Sequence, residues 1–145
     1  MKTPEFVKQL REPEIVAAIR AAERKTSGEL RIFISHQKEV ADPVTAAQEE
    51  FVRLGMEKTR DRNAVLIYVA PVPRKFAIIG DHGVHERCGE NFWQELADSM
   101  TARFRVAEFT EGIVQGITRA GELLAVHFAR HPDDSNELPN RVEHG

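Results

Sequence analysis

The chain has 145 residues, of which 41% are hydrophobic and 30% are charged, a balance that fits one globular domain with its own core. The formal net charge is −3, and the 20 lysines and arginines are scattered, so no basic patch indicates a nucleic-acid partner. The single cysteine excludes an internal disulfide and fits a reducing compartment. Residues 1–14 lack the apolar core of a signal peptide, and no run approaches the roughly 20 apolar residues of a membrane span. These features predict a cytoplasmic protein without a membrane segment.

The first half of the chain predicts three helices and one strand. A short helix should begin at Thr3-Pro4, because proline is favoured at the first helical position. Apolar residues at helical spacing predict a second helix over residues 13–25. The segment ELRIFIS, residues 29–35, alternates apolar and polar side chains and predicts a strand. Asp42-Pro43 caps a further helix, which runs to about residue 59.

The second half predicts a hairpin followed by two helices. The run AVLIYVA, residues 64–70, is apolar on both faces, which is typical of a central strand covered on both sides. PVPR, residues 71–74, predicts a tight turn, and KFAIIG, residues 75–80, predicts the returning strand. Helical spacing then runs from Trp93 to Phe104, and again from Phe109 to Leu124.

This order of elements predicts an α/β fold, in which helices sandwich a mixed sheet built from a parallel crossover and an antiparallel hairpin. Residues 1–130 form the single predicted domain, and residues 131–145 form a polar C-terminal tail that we expect to be loosely attached. Within it, NELP (residues 136–139) is a candidate docking segment if it does not pack on the domain.

The predicted topology brings scattered polar residues to one end of the sheet. A parallel crossover places the starts of the first two strands at the same end, and the hairpin returns the third strand to it. The helix of residues 13–25 ends there as well, through a short Thr-Ser-Gly link. The residues gathered at this end are Glu23, Glu29, Arg62, Asn63, Asp81 and His82, with His85 and Glu86 following nearby.

Carboxylates dominate this set and suggest a cation site. Oxygen ligands from Glu29 and Asp81, with Glu23 or Glu86 as contributors, suit a hard cation such as Ca²⁺ or Mg²⁺. Arg62 could instead pair with Asp81 or Glu29, or hold a phosphate.

Simpler interpretations stay open for each residue. Asp81 precedes His82-Gly83, and its simpler interpretation is a turn residue without a ligand role. The simpler interpretation of Glu29 is a residue at an exposed strand start. Zn²⁺ is unlikely at His82, His85 and Cys88, because structural zinc sites favour paired ligands with a second pair elsewhere. A half-buried thiol is a better interpretation of Cys88 than a nucleophile.

Three segments of the chain resemble the TPM domain, a family that includes thylakoid-lumen phosphatase-like and photosystem II repair proteins. They are AIRAAERKTSGELRIFI, TRDRNAVLIYVAPVPRKFAIIGDHGVHERCGENFW and FTEGIVQGITRAGELLAVHFARHPDD. The similarity spans residues 12–134. It implies an α/β sandwich with an acidic surface cleft, where some members bind calcium or other divalent cations.

Matched by motif, the resemblance assigns to the cleft the residues that the topology gathers: Glu29, Arg62, Asn63 and Asp81. His82 and Cys88 stand where the family commonly has a basic and an apolar residue, which further weakens a zinc site. Some members are described as acid phosphatases, but the chain has no DxDx(T/V), Cx5R or RHG motif.

Three hypotheses follow for the function. The first is a divalent-cation-binding or protein-interaction module that uses the acidic cleft. The second is a metal-dependent phosphatase that hydrolyses phosphomonoesters in the same cleft, with Arg62 holding the phosphate. The third is a protein-binding scaffold without a ligand.

Overall fold

The computed structural model describes residues 6, 8–89, 91–129 and 141–145, without the side chains of residues 91–93. Residues 6, 8 and 9 are helical, but the predicted start of that helix at Thr3-Pro4 lies outside the described residues. The further elements are α1 (Glu12–Glu23), β1 (Glu29–Ile34), α2 (Pro43–Arg53), a 3₁₀ turn (Met56–Lys58), β2 (Ala64–Ala70), β3 (Lys75–Gly80), α3 (His82–Cys88), α4 (Asn91–Arg105), α5 (Phe109–His127) and β4 (Val142–His144).

The sheet has four strands in the order β3-β2-β1-β4. β1 pairs with β2 in parallel, with Glu29 opposite Ala64, so α2 lies on a parallel crossover. β2 pairs with β3 in antiparallel fashion, with Val65 opposite Gly80. The predicted α/β fold with a mixed sheet is therefore confirmed.

Two apolar cores cover the two faces of the sheet. Alternate residues of β1 and β2 pack on one face against α1, α4 and α5, and Ile19, Met100 and Ile117 there are fully buried. The other residues of the same strands pack against α2, through Ala47 and Phe51. Every residue of β2 is buried, as expected for a central strand between two layers of helices.

Local signals explain where the elements begin and join. The Asp42 carboxylate accepts a hydrogen bond from Val44 N at 3.1 Å and starts α2, with Pro43 at its first position. At the link between α1 and β1, the buried Thr26 hydroxyl donates to Phe128 O, and Ser27 N donates to the same oxygen at 2.9 Å. This link ties the start of β1 to the end of α5.

The end of the polar tail is part of the sheet. Residues 142–144 form β4, which pairs in parallel with β1, and Gly145 N donates to Ile34 O at 3.0 Å. Arg31, on β1, forms an ion pair with Glu143 in which both side chains are largely buried. The prediction of a loosely attached tail is therefore wrong for residues 141–145. The NELP segment, residues 136–139, lies outside the described residues.

The sequence did not predict α3, which follows directly after β3. Val84 is the one large apolar residue that this short helix buries, so its sequence carries little periodicity. Asp81 begins it as an N-cap residue whose side chain accepts from His82 N. Gly83 lies so close to the chain that leads into β2 that its N–H donates to Arg62 O at 2.9 Å. No helix in the described part of the chain is long and apolar enough to cross a membrane.

Candidate functional site

A bidentate ion pair between Arg62 and Asp81 forms the centre of the candidate site. Arg62 Nε donates to Asp81 Oδ2 at 2.6 Å, and Arg62 Nη2 donates to Oδ1 at 2.7 Å. The Asp81 side chain is only 5% exposed, whereas that of Arg62 is 51% exposed. A buried carboxylate is thus covered by a guanidinium that reaches it from solvent.

The backbone positions both partners at the end of the β2–β3 hairpin. Asp81 N donates to Ala64 O at 2.9 Å, which continues the strand pairing by one residue. Asp81 Oδ1 also accepts from His82 N at 2.8 Å. Arg62 has a φ of 51°, a left-handed conformation that is uncommon for residues other than glycine. Backbone strain of this kind recurs at ligand-binding sites.

The charge environment holds Arg62 firmly in its cationic form. Its hydrogen bonds to Asp81 raise the pKa of the guanidinium, and the charges of Asp81 and Glu57 raise it further. Of the roles predicted for Arg62, the structure has the ion pair with Asp81. Asp81 does more than form a turn, because it caps α3 and binds this arginine.

Asn63 and Thr59 place buried oxygens in the loop that leads into β2. Asn63 is 1% exposed, and its Nδ2 donates to Ser27 Oγ at 3.2 Å. Its Oδ1 and the Oγ1 of the buried Thr59 have no hydrogen-bond partner among the described residues. Buried polar atoms are nearly always hydrogen-bonded, so two such oxygens close in sequence to Arg62 are unusual.

Glu23 and Glu29 are buried at the same end of the sheet. Glu23 Oε2 accepts a hydrogen bond from Leu30 N at 3.0 Å and so joins the end of α1 to the second residue of β1. Glu29 is 3% exposed, which is at odds with the interpretation of an exposed strand start. Both carboxylates lie where the topology predicted them, inside the protein rather than on a rim.

The remaining predicted residues lie on α3, and none of them is buried. His82 and Glu86, four residues apart, form an exposed pair with Nε2 and Oε1 at 2.8 Å. His85 is exposed as well. Cys88 is a half-buried free thiol, and burial raises its pKa, which opposes the thiolate form that a nucleophile needs.

The described residues contain no group of three or more His, Cys, Asp and Glu side chains arranged to hold a metal ion. The ligand set Glu29, Asp81, Glu23 and Glu86 therefore stays a prediction, in which Asp81 has Arg62 as its present partner. Sequence reasoning missed Glu57 and Thr59. The only signal for them is a threonine and an acid just before the charged run RDRN, which is too common a pattern to single them out.

The TPM-domain family model matches residues 4–123 of the chain. The chain belongs to the TPM-domain family. It is 39% identical to BA42 from the psychrophilic bacterium Bizionia argentinensis, solved by NMR, with a TM-score of 0.87 over 92% of each chain. The N-terminal domain of a P. gingivalis protein, also solved by NMR, shares the fold with a TM-score of 0.60 and 15% identity, over 79% of this chain and 75% of that one. No curated protein sequence matches the chain significantly.

Proposed function

We propose that this TPM domain is a divalent-cation-binding module, in which Ca²⁺ or Mg²⁺ competes with Arg62 for the carboxylate of Asp81. The observation that carries the proposal is the asymmetry of the Arg62–Asp81 pair. The Asp81 side chain is buried, and the residue is held by its backbone hydrogen bond to Ala64 and by the bond that its carboxylate accepts from His82 N. In contrast, half of the Arg62 side chain is in solvent. The arginine can leave while the carboxylate stays in place.

A cation that replaced the guanidinium would find further oxygens in the same region. Asn63 Oδ1 and Thr59 Oγ1 are buried and have no hydrogen-bond partner among the described residues. Carbonyl, hydroxyl and carboxylate oxygens are the ligands that calcium prefers, in flexible geometry. Glu57, whose charge already acts on Arg62, would supply a second carboxylate. Glu29, Glu23 and Glu86 would act as more distant negative charges.

Two substitutions at this pair should change cation affinity in opposite directions. Asp81→Asn removes the central ligand and should weaken Ca²⁺ binding by about tenfold or more, the factor that a loss of about 1.4 kcal/mol produces. Arg62→Gln removes the competing cation and should strengthen Ca²⁺ binding several-fold. The measurement is a Ca²⁺ and Mg²⁺ titration of the metal-free protein, followed by backbone amide shifts at residues 57–63 and 80–84.

The control is Glu122→Gln, which changes an exposed acid on α5 that pairs with Arg119 and should leave the affinity nearly unchanged. General loss of structure cannot imitate the expected result, because it would weaken binding in both variants of the pair. If the wild-type protein and Arg62→Gln both show no saturable shifts at millimolar cation, the cation-binding proposal is wrong. The alternative of a module that recruits protein partners without a cation would then take its place.

A metal-dependent phosphatase acting on phosphomonoesters would use the same residues in a second step. Displacement from Asp81 would free the Arg62 guanidinium, whose fork matches a phosphate. Its test is hydrolysis of p-nitrophenyl phosphate with and without Ca²⁺ or Mg²⁺. Turnover that needs the metal and disappears in both Asp81→Asn and Arg62→Gln would support it. Cation binding without turnover would leave the binding module as the function.

A further inference from the structure

A cavity lies at the opposite end of the sheet from the Arg62–Asp81 pair. It has a volume of about 470 Å³ and is bounded by the turn between β2 and β3, by the last turns of α4 and by the start of α5. Ala70, at this end of β2, is six residues from Ala64 at the other end. At roughly 3.3 Å per residue, that separation is about 20 Å. The two sites therefore share no side chain.

Four phenylalanine rings line this cavity, which we call the hairpin pocket, and each touches the next. The ring centroids of Phe6 and Phe109 are 4.8 Å apart, and those of Phe109 and Phe104 are 5.9 Å apart. Phe104 meets Phe76 edge-on at 5.5 Å. Phe76, Phe104 and Phe109 are only partly buried, so apolar ring surface faces the cavity. Apolar and aromatic walls with a few polar groups are typical of small-ligand sites.

Positive charge marks the rim of the hairpin pocket. Arg74, Lys75 and Arg105 line it, and none of its described lining residues is acidic. The Lys75 ammonium donates to Val40 O at 2.7 Å and is thus partly engaged. Arg74 and Arg105 are exposed, and their guanidinium groups make no hydrogen bond or ion pair with any described residue. Most arginines elsewhere in the described chain pair with a carboxylate, among them Arg11, Arg53 and Arg119.

The backbone at Arg74 is also unusual. It has a φ of 58°, a left-handed conformation, and its N–H donates to Pro71 O at 3.1 Å to close the turn. Glycine or asparagine would adopt this conformation with less strain. An arginine at this turn lines the pocket at a cost in backbone energy, and strain of this kind is a reason to look for a ligand.

We propose that the hairpin pocket binds a small organic carboxylate with an aromatic or aliphatic body. The apolar body would lie against the phenylalanine rings, and the carboxylate would bind Arg74 and Arg105 at the rim. Guanidinium groups match a carboxylate in a bidentate geometry, and the volume lies within the roughly 300–1,000 Å³ of small-ligand sites. Phosphate alone would use the arginines and leave the aromatic walls without a partner.

The probe for this site is 2-naphthylacetate, compared with its neutral amide and with inorganic phosphate. Titration of the full chain, followed by backbone amide shifts, should give saturable changes confined to residues 69–76 and 101–109. The amide should bind about tenfold more weakly, because a hydrogen bond to a charged group is worth about tenfold or more in affinity. Phosphate should bind more weakly than the naphthyl acid. Octanoate should bind at the same residues.

Variants separate the charge from the cavity. Arg74→Gln and Arg105→Gln should each weaken the acid by about tenfold and leave the amide nearly unchanged. Thr101→Phe, which fills a half-buried position in the pocket wall, should weaken both compounds. Arg24→Gln changes an exposed arginine at the end of α1; it is the control and should bind as the wild type does.

The proposal is overturned by any of three results. These are the absence of saturable shifts at millimolar acid, equal binding of the acid and the amide, or arginine variants that bind the acid as the wild type does. Weak binding of the small acid together with tight binding of a peptide that ends in an aromatic residue would show that the pocket serves a protein partner instead.

Discussion

Replacing Glu143 by alanine should lower the free energy of unfolding by about 3 kcal/mol, because it leaves the guanidinium of Arg31 buried without its counter-charge. The side chain of Arg31 is 4% exposed and that of Glu143 is 17% exposed. Breaking a buried pair costs about 3–5 kcal/mol, and the partial exposure of Glu143 places it at the lower end. Urea unfolding of both proteins measures the difference.

The partners of Glu143 provide a matched control. Arg141 binds the same carboxylate from an exposed position, with 67% of its side chain in solvent. Arg141→Gln should therefore cost less than about 1 kcal/mol, as is typical of surface pairs. The double variant Arg31→Met, Glu143→Leu removes both buried charges and should recover most of the lost stability. Similar losses for Arg141→Gln and Glu143→Ala would contradict the assignment of the buried pair.

The contribution of Glu143 to the free energy of unfolding depends on pH, because its carboxyl must be charged to bind Arg31 and Arg141. Burial acts to raise the pKa of its carboxyl, but Arg141 and Arg31 outweigh burial and hold it below the ordinary glutamate value of 4.5. A lowered pKa in the folded state stabilises the protein above the unfolded value, and this stabilisation is lost as the pH falls through the folded pKa. The charge-only variant Glu143→Gln should therefore differ most from the wild type at neutral pH and approach it below pH 4.5.

The sheet that carries both sites could be predicted from local patterns. The run of β2 is apolar on both faces, and the turn PVPR between two strands leaves a hairpin as the natural connection. A helix that joins β1 to β2 favours a parallel pair, and the crossover between parallel strands is nearly always right-handed. Arg62 and Asp81 are then expected at the same end of the sheet, and the structure places them in contact.

The elements that sequence reasoning missed depend on contacts between distant residues. β4 has three residues, Val142, Glu143 and His144, with no apolar alternation to mark a strand. Its contacts are the parallel pairing with β1 and the ion pair with Arg31, which lies more than a hundred residues earlier. The hairpin pocket is similar, because Phe76, Phe104 and Phe109 look like ordinary core positions of three separate elements. Their shared cavity exists only in the tertiary structure.

Burial was also hard to predict at the candidate site. Glu29 begins a strand after Ser-Gly, a pattern that equally fits an exposed edge, yet it is 3% exposed. The reason lies in α1 and α5, which close over this end of the sheet through Thr26 and Phe128. A helix end that packs on a strand start cannot be recognised from either segment alone.

Gly83→Ala should lower the free energy of unfolding by about 2 kcal/mol and disturb the Arg62–Asp81 pair at the same time. A Cβ at this position would lie 2.8 Å from Arg62 O, and closer still to Asp61 O. Both obstacles are backbone atoms, so the strain cannot relax by a change of rotamer. Alanine gains up to about 1 kcal/mol over glycine in helix propensity, but overpacking costs about 1–3 kcal/mol and outweighs it.

Gly116→Ala, on α5, separates steric strain from propensity. Its Cβ would lie 2.9 Å from Met100 Sδ, an atom of a flexible side chain that can move aside. We expect this variant to change the stability by less than Gly83→Ala does, because the gain in helix propensity offsets a smaller strain. Urea unfolding compares the stabilities of the two variants, and amide exchange at residues 62 and 82–84 reports on the site.

If Gly83→Ala keeps the wild-type stability and exchange rates, α3 does not pack against the Arg62 backbone. The proposed cation site would then lack the contact that positions Asp81 beside Arg62. If Gly83→Ala is destabilised as expected and its Ca²⁺ affinity falls as well, the packing of α3 against the Arg62 backbone sets the geometry of the site.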